Sequence, residues 1–273
     1  MRYEGFASVY DRLMRDVPYE RFLAILDDAL AYAGVVPARI IDLGCGTGAL
    51  MPALLERASF VIGVDPAEQM LAVAADRMAG VSHRVSFLQA SAADLRVSRQ
   101  ADCCVAFCDV LNYVMTWEEL TASFTAVRRA VKPDGLFLFD LHSPHKIIHH
   151  IGNNVYYDVT PDAAALMNTT VDPPGLTVVY ELTLFARESA QLYRRFDEEH
   201  RQRAYGLTDV VSALGRAGFV EVTVAGDLSF AWNDEANTQA KGEAMGMKGA
   251  SPHVRTIAGE SMDTALRWFF LAR

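Results

Sequence analysis

"IIDLGCGTGAL" (residues 40–50) decides the fold. An apolar run broken only by Asp42 leads straight into Gly44, Gly46 and Gly48, and then into "ALMPALLERA" (49–58). A short apolar run of this kind fits a strand buried on both faces. Glycines alternating just after it let the backbone turn sharply and be approached closely by a ligand. The segment that follows reads as a helix, with Pro52 acceptable in its first turn.

The pattern repeats outward from this loop. "YERFLAILDDALAYAG" (19–34) places Phe22, Ile25, Leu26, Ala29 and Leu30 at helical spacing and ends at Gly34. Strands are expected at 39–44, 60–65, 85–90, 102–108 and 136–141, the last entered by a turn at Lys132-Pro133-Asp134-Gly135. Helices are expected at 66–79 and 117–131. Strands apolar throughout, alternating with helices, predict a parallel sheet covered on both faces by right-handed crossovers.

The alternation stops after Leu141. Residues 176–187 and 191–205 show two-residue alternation about a turn near Glu188, which predicts an antiparallel hairpin or small sheet inserted in the main domain. A helix at 207–218, with Thr208 as its N-cap, then leads to strands at 219–226 and 263–273. The stretch 233–261 has little periodicity and reads as a mobile loop and candidate lid. The expected organisation is one domain over 1–273. Residues 1–35 form a helical cover, 36–145 and 206–273 the core, and 146–205 an inserted β lid.

Composition narrows the function classes. Of the 273 residues 51% are hydrophobic and 22% charged, as in an ordinary globular core. The formal net charge of −9 disfavours general nucleic-acid binding. Cys45, Cys103, Cys104 and Cys108 lack paired metal-site spacing and read as buried reduced thiols. The first residues have no apolar stretch of signal-peptide type, and no run is long enough to span a bilayer. A cytoplasmic protein without a membrane partner is expected.

The glycine spacing is GxGxG, tighter than the GxGxxG of dinucleotide-binding folds. Asp65 closes the second strand, where a carboxylate can accept both hydroxyls of a ribose or cap the helix that begins after Pro66. "DLGCGTG" followed by "VIGVDPAEQML" resembles the class I S-adenosylmethionine-dependent methyltransferases. "FASVYDRLMRDVPYERF", "FCDVLNYV", "FDLHSPHKI" and "YRRFDEEHRQRAY" are similar to one subgroup, the bacterial YqeM-like methyltransferases of small-molecule type. The resemblance implies a Rossmann-like α/β fold with a seven-stranded, mainly parallel sheet and one antiparallel strand near the C-terminus.

It also implies S-adenosylmethionine as cofactor and a cofactor site. Gly44, Cys45, Gly46 and Gly48 would pass under the methionine part, with Asp42 just before them. Asp65 would hold the ribose, and Pro66 and Met70 would border the adenine. Ser91, standing where the family usually has an acid, would meet the adenine amino group together with Ala92 and Ala93. Cys108 would lie near the sulfur, and Tyr10 and Tyr19 would reach the carboxylate. Asp109, Asn112 and Tyr113 would face a small-molecule acceptor.

Methyl transfer from a sulfonium has a neutral leaving group, so positioning dominates and a base is needed only if the acceptor must lose a proton. His142 and His200 are the candidate bases. His142, His145, His149 and His150 could share a helix face, but no further ligand accompanies them and no metal is expected. "VDPPG" (171–175) echoes a motif of planar-amine methyltransferases, but it lies in the insertion and glycine replaces the stacking aromatic. Arg194, Arg195, Arg201 and Arg203 are interleaved with acids and read as a self-paired surface, with a grip on an anionic substrate as the functional alternative. Tyr113 and Trp117 could stack a substrate or pack. The expected activity is methyl transfer to O or N of a small molecule by a monomer or homodimer. The competing readings are transfer to RNA or protein, a cofactor-binding sensor or scaffold without turnover, and a nicotinamide-dependent oxidoreductase.

Overall fold

The structure, a computed structural model, describes residues 11, 14–227, 238–239, 253–257 and 262–273. Helix α1 (Tyr19–Ala33) stops where Gly34 adopts φ 67° and its N–H reaches back to the carbonyls of Ala31 and Leu30, a left-handed C-cap. The parallel strands β1 (Arg39–Leu43), β2 (Phe60–Asp65), β3 (Val85–Gln89), β4 (Ala101–Ala106) and β5 (Val131–His142) alternate with α2 (Met51–Arg57), α3 (Glu68–Arg77) and α4 (Trp117–Ala130). Pro52 occupies the first turn of α2. At the start of α4 the Glu119 N–H donates to Thr116 Oγ1, a side-chain N-cap, and the Thr116 hydroxyl donates to Glu119 Oε2.

β5 starts earlier than expected. The pairing with β4 jumps from Ala101–Val131 to Cys103–Leu136, so the Lys132–Gly135 stretch bulges within the strand instead of preceding it. After β5 come four antiparallel strands, β6 (Val155–Val159), β7 (Ala163–Asp172), β8 (Thr177–Arg187) and β9 (Tyr193–Arg203), in spatial order β6-β7-β8-β9. "VDPPG" spans the end of β7 and the turn into β8. The chain then returns through α5 (Leu207–Ala217) to β10 (Glu221–Gly226). Thr208 is not the N-cap of α5. Gly206 holds that position without a side-chain bond, and Thr208 falls inside the first turn.

The 233–261 stretch is not wholly loop. It contributes β11 (Thr238–Gln239) and β12 (His253–Ile257), and β12 pairs in parallel with β10 at the sheet edge. The rest of that stretch, and with it the expected lid, lies outside the described residues. The final strand β13 (Arg267–Ala272) inserts antiparallel between β5 and β10. The main sheet therefore runs β11-β12-β10-β13-β5-β4-β1-β2-β3. Its seven central and right-hand strands, β10 to β3, have the order of the Rossmann-like class I fold, with β13 the one reversed strand.

Strand alternation divides the core. Ile41, Cys104, Phe137, Phe139 and Phe270 pack with Phe124, Val127 and Leu214 from α4 and α5. Ile40, Cys103, Val105, Leu138 and Phe269 pack with Phe22, Leu26 and Leu54 from α1 and α2. Adjacent cysteines 103 and 104 thus serve opposite faces, both fully buried. A smaller cluster joins Met70 of α3 to Leu184 and Ala186 of β8. This contact holds the inserted sheet over the carboxyl ends of the main strands.

Candidate active site

The carboxyl ends of β1 to β5 and the β7–β9 part of the inserted sheet enclose a cavity of about 870 Å³. The size suits a cofactor together with a small acceptor. Gly44, Gly46 and Gly48 all have positive φ, at 75°, 53° and 74°, a region that strains any other residue. Space around them differs. A Cβ on Gly44 would stand 2.4 Å from a Val110 methyl, and one on Gly48 would stand 3.0 Å from Ala74 Cβ of α3. A Cβ on Gly46 would meet nothing within 4 Å. Gly44 and Gly46 line the cavity, whereas Gly48 serves the packing of the loop on α3. Cys45 is also set away from the cavity. Its side chain is buried in the α1–α2 core, and its N–H donates to the Val64 carbonyl.

Asp65 ties the loop to β2 and α3. Oδ2 accepts the Gly46 N–H at 3.0 Å and Oδ1 accepts the Ala67 N–H at 2.9 Å. Burial raises its pKa against the pull of these two donors, and each oxygen keeps lone-pair capacity for a ligand hydroxyl. Asp42 is 3% exposed and its Oδ2 has no partner. Burial, then the charge of Asp65, pushes its pKa up to about 7. An orphaned buried carboxylate oxygen beside an open glycine cradle and a carboxylate aimed at hydroxyls fits a nucleoside bearing a cationic group. These residues therefore suit S-adenosylmethionine.

Pro66, Met70, Ser91, Ala92, Ala93 and Cys108 line the same cavity. The Ser91 hydroxyl donates to Asp94 Oδ2 at 2.7 Å and accepts the Asp94 N–H at 3.2 Å, which leaves one lone pair, and not its proton, for an incoming amino group. Tyr19 is half-buried. Its pKa is pushed up to about 12 by burial and then by Cys108. Tyr10 lies outside the described residues.

After β4 the chain does what no glycine announces. Cys108 and Asp109 both have positive φ, 65° and 55°, a costly conformation for two successive non-glycine residues. The bend aims the Asp109 N–H at Asp140 Oδ2 (3.0 Å) and its carboxylate into a buried charge network. Arg267 of β13 donates to Asp140 and, at 3.1 Å, to Asp109 Oδ1. Gln202 of β9 donates to Asp109 Oδ2 at 2.6 Å and accepts from the Tyr180 hydroxyl at 3.0 Å. Burial opposes ionisation of Asp109, but His142, Arg267 and Lys146 outweigh it and hold the carboxyl well below its usual range.

His142 enters this network through Nε2, which lies 2.9 Å from Arg267 and 2.7 Å from Lys146 Nζ. The same nitrogen lies 3.2 Å from Asp109 Oδ1, so Nε2 faces one carboxylate and two cationic donors, while Nδ1 is buried at the cavity wall without a hydrogen-bond partner. Burial first, and the two cations with it, lower its pKa despite the pull of Asp109. Because the folded pKa is the lower one, this group favours folding above the unfolded histidine pKa, and less so as pH falls below it. In an NMR titration of the histidines His142 should stay neutral below the ordinary histidine range. Lys146→Met should raise its pKa. A wild-type His142 that titrates with the exposed histidines would refute the assignment.

Asn112 is not a substrate residue. It is fully buried, its Oδ1 accepts the His142 N–H at 2.8 Å, and its Nδ2 donates to the Arg203 carbonyl at 2.8 Å. It stitches the inserted sheet to β5. Tyr113 does line the cavity, with its ring edge-on to His200 at 5.9 Å, and His200 lines it from β9. Trp117 instead packs on Tyr205. Of the arginine cluster, Arg194 pairs with Glu188, Arg195 with Asp197 and Arg201 with Glu199, all exposed to solvent, while Arg203 donates to the Met115 carbonyl. The anionic-substrate grip thus finds no support in the geometry.

Sequence reasoning missed Arg267, Lys146, Asp140, Tyr180 and Gln202. A lone acid within apolar β5 was a signal for Asp140, since a buried carboxylate needs a partner. Nothing local marks Arg267, which reaches it from far along the chain.

A profile described as "Methyltransferase domain" matches residues 40–135. A protein from Geobacillus sp. (strain WCH70), provisionally named a methyltransferase, is 33% identical over 240 residues, covering 88% of this chain and 96% of its own. YqeM of Bacillus subtilis (strain 168), named in the same provisional way, is 33% identical over 230 residues, covering 84% and 91%. Among solved structures, an S-adenosylmethionine-dependent methyltransferase from Clostridium acetobutylicum superposes with a TM-score of 0.79 at 23% identity, covering 99% of this chain and 98% of that one. No helix among the described residues is long and apolar enough to cross a membrane.

Proposed function

The chain belongs to the class I S-adenosylmethionine-dependent methyltransferases, in the group that includes YqeM, and on that footing we propose that it methylates an oxygen or nitrogen atom of a small molecule held under the inserted sheet. One observation carries this reading. A single cavity is lined at one end by Gly46 and Asp65 and at the other by Tyr113, Tyr180, His200 and Gln202. The first group suits the cofactor and the second offers a compact acceptor site.

When bound, S-adenosylmethionine supplies an electrophilic methyl group on a positively charged sulfur. The chain supplies position and exclusion of water. Asp65 would accept the ribose hydroxyls and Ser91 the adenine amino group, with backbone groups of Ala92 and Ala93 beside it. Asp42 and the loop at Gly44 and Gly46 would receive the methionine end, with Cys108 and Tyr19 at its border. The inserted sheet roofs the acceptor, and Asp109, held by Gln202 and Arg267, fixes the wall below it. His142 and His200 both line the cavity, and with the His142 Nε2 turned into the charge network, His200 would take a proton from an acceptor that must lose one.

Calorimetric titration with S-adenosylmethionine, S-adenosylhomocysteine and NAD tests the cofactor assignment. Binding of both sulfur nucleotides without NAD is the expected result, and binding of NAD alone would overturn it. Asp65→Ala should weaken S-adenosylmethionine at least tenfold, about 1.4 kcal/mol. An unchanged affinity would remove Asp65 from the cofactor site.

A further inference from the structure

The charge of the cavity wall carries an inference about the acceptor, resting on the methyltransferase reading above. Among the described residues that line the cavity there is no arginine and no lysine. The ionisable ones are Asp65, Glu68, Asp109, Glu119, Cys108, Tyr113, Tyr180 and the two histidines. This does not reflect a lack of cations nearby. β9 carries Arg194, Arg195, Arg201 and Arg203, but the strand's alternation puts His200 and Gln202 on the buried side and Arg195, Arg201 and Arg203 on the other, while Arg194, which shares the side of His200, stands exposed near the β8–β9 turn and is paired with Glu188. A register shift of one residue would have reversed that choice.

The two cations next to the wall are already spent. Arg267 is paired with Asp140 and Asp109. Lys146 is turned onto His142 Nε2, and burial and then Arg267 lower its pKa to about 8. Among the described residues a carboxylate or phosphate acceptor would meet acids and no free donor cation, in a site where burial magnifies charge. A positively charged group would meet Asp109 and the aromatic rings of Tyr113 and Tyr180, whose faces attract cations. The β7–β8 part of the wall, Met167 and Leu182, adds apolar contact.

We propose that the acceptor is an amine: a compact molecule with an apolar body, recognised at the wall formed by Tyr113, Tyr180, His200 and Asp109. Methylation of such an acceptor balances without a further reactant. The bound ammonium first gives a proton to His200, its freed lone pair forms the new N–C bond while the pair of the broken S–C bond stays on sulfur, and the product leaves as the methylated ammonium, with His200 returning its proton to solvent on release.

The test uses the full chain saturated with S-adenosylhomocysteine and three probes of matched shape, 2-phenylethylamine, 2-phenylethanol and 3-phenylpropanoate, titrated calorimetrically near neutral pH. The amine should bind about tenfold or more tighter than the carboxylate, with the alcohol between them. Met167→Lys, which adds a cation to the wall, should abolish that preference while leaving S-adenosylhomocysteine affinity unchanged. Equal or tighter binding of the carboxylate, or binding of none of the three by a protein that still binds S-adenosylhomocysteine, overturns the amine assignment and leaves the methyltransferase reading standing. Failure to bind S-adenosylhomocysteine overturns both.

Discussion

Arg267→Met should lower the unfolding free energy by about 3–5 kcal/mol, the cost of leaving buried charge without its partner. Among the described residues Arg267 is the cation that donates to both Asp140 and Asp109. Asp140 is 0% exposed and its Oδ1 already lacks a partner. Methionine fills a similar volume, so packing loss is small and the effect reports charge. Without the guanidinium Asp140, which burial already raises, would move further above its unfolded value. The folded variant would then bind more protons than its unfolded chain, and its stability would rise as pH falls from neutral toward the carboxylate range. Urea unfolding at several pH values checks both statements. Loss of less than about 1 kcal/mol, the scale of an exposed pair, would show that the network is not dry. Arg267→Lys should recover part of the loss, because one ammonium cannot reproduce the two-sided fork.

How much of this was readable beforehand depends on the range of the interaction. The sheet was legible because apolar strands and amphipathic helices are local patterns: Phe22, Ile25, Leu26, Ala29 and Leu30 were marked by spacing alone and are the buried face of α1. The loop at 44–48 was legible because glycine is a local signal for positive φ. Cys108 and Asp109 adopt the same backbone region without that signal, and the reason is distant: Asp140 and Arg267 hold the bend in place. Asn112 was misread for the same cause. Its sequence neighbours say nothing of the backbone groups of His142 and Arg203 that it joins. His142 lines the cavity, but its ring nitrogen faces Arg267, Lys146 and Asp109 together, and the first of these is invisible at sequence range. The short strands β11 and β12 were missed because edge strands of a few residues carry too little periodicity to register.

The glycines themselves give the sharpest separation of folding from binding. Gly44→Ala should destabilise the fold by about 2–5 kcal/mol, the sum of a left-handed alanine and an overpacked contact. Its Cβ would lie 2.4 and 2.5 Å from the two Val110 methyls, and at φ 75° the backbone offers no relief. Gly46→Ala has only the first of these terms, about 1–2 kcal/mol, since nothing lies within 4 Å of the added methyl. The space it enters belongs to the cavity that Gly46 lines. Gly46→Ala should therefore fold, with a modestly lower melting temperature, and lose S-adenosylmethionine affinity by at least about tenfold. Melting curves and calorimetry on the two variants decide the matter together. A Gly46→Ala protein that binds as tightly as wild type would mean that the open side of the loop is not where the cofactor passes. A Gly44→Ala protein as stable as wild type would mean that Val110 yields, and that the first glycine is required by the backbone angle alone.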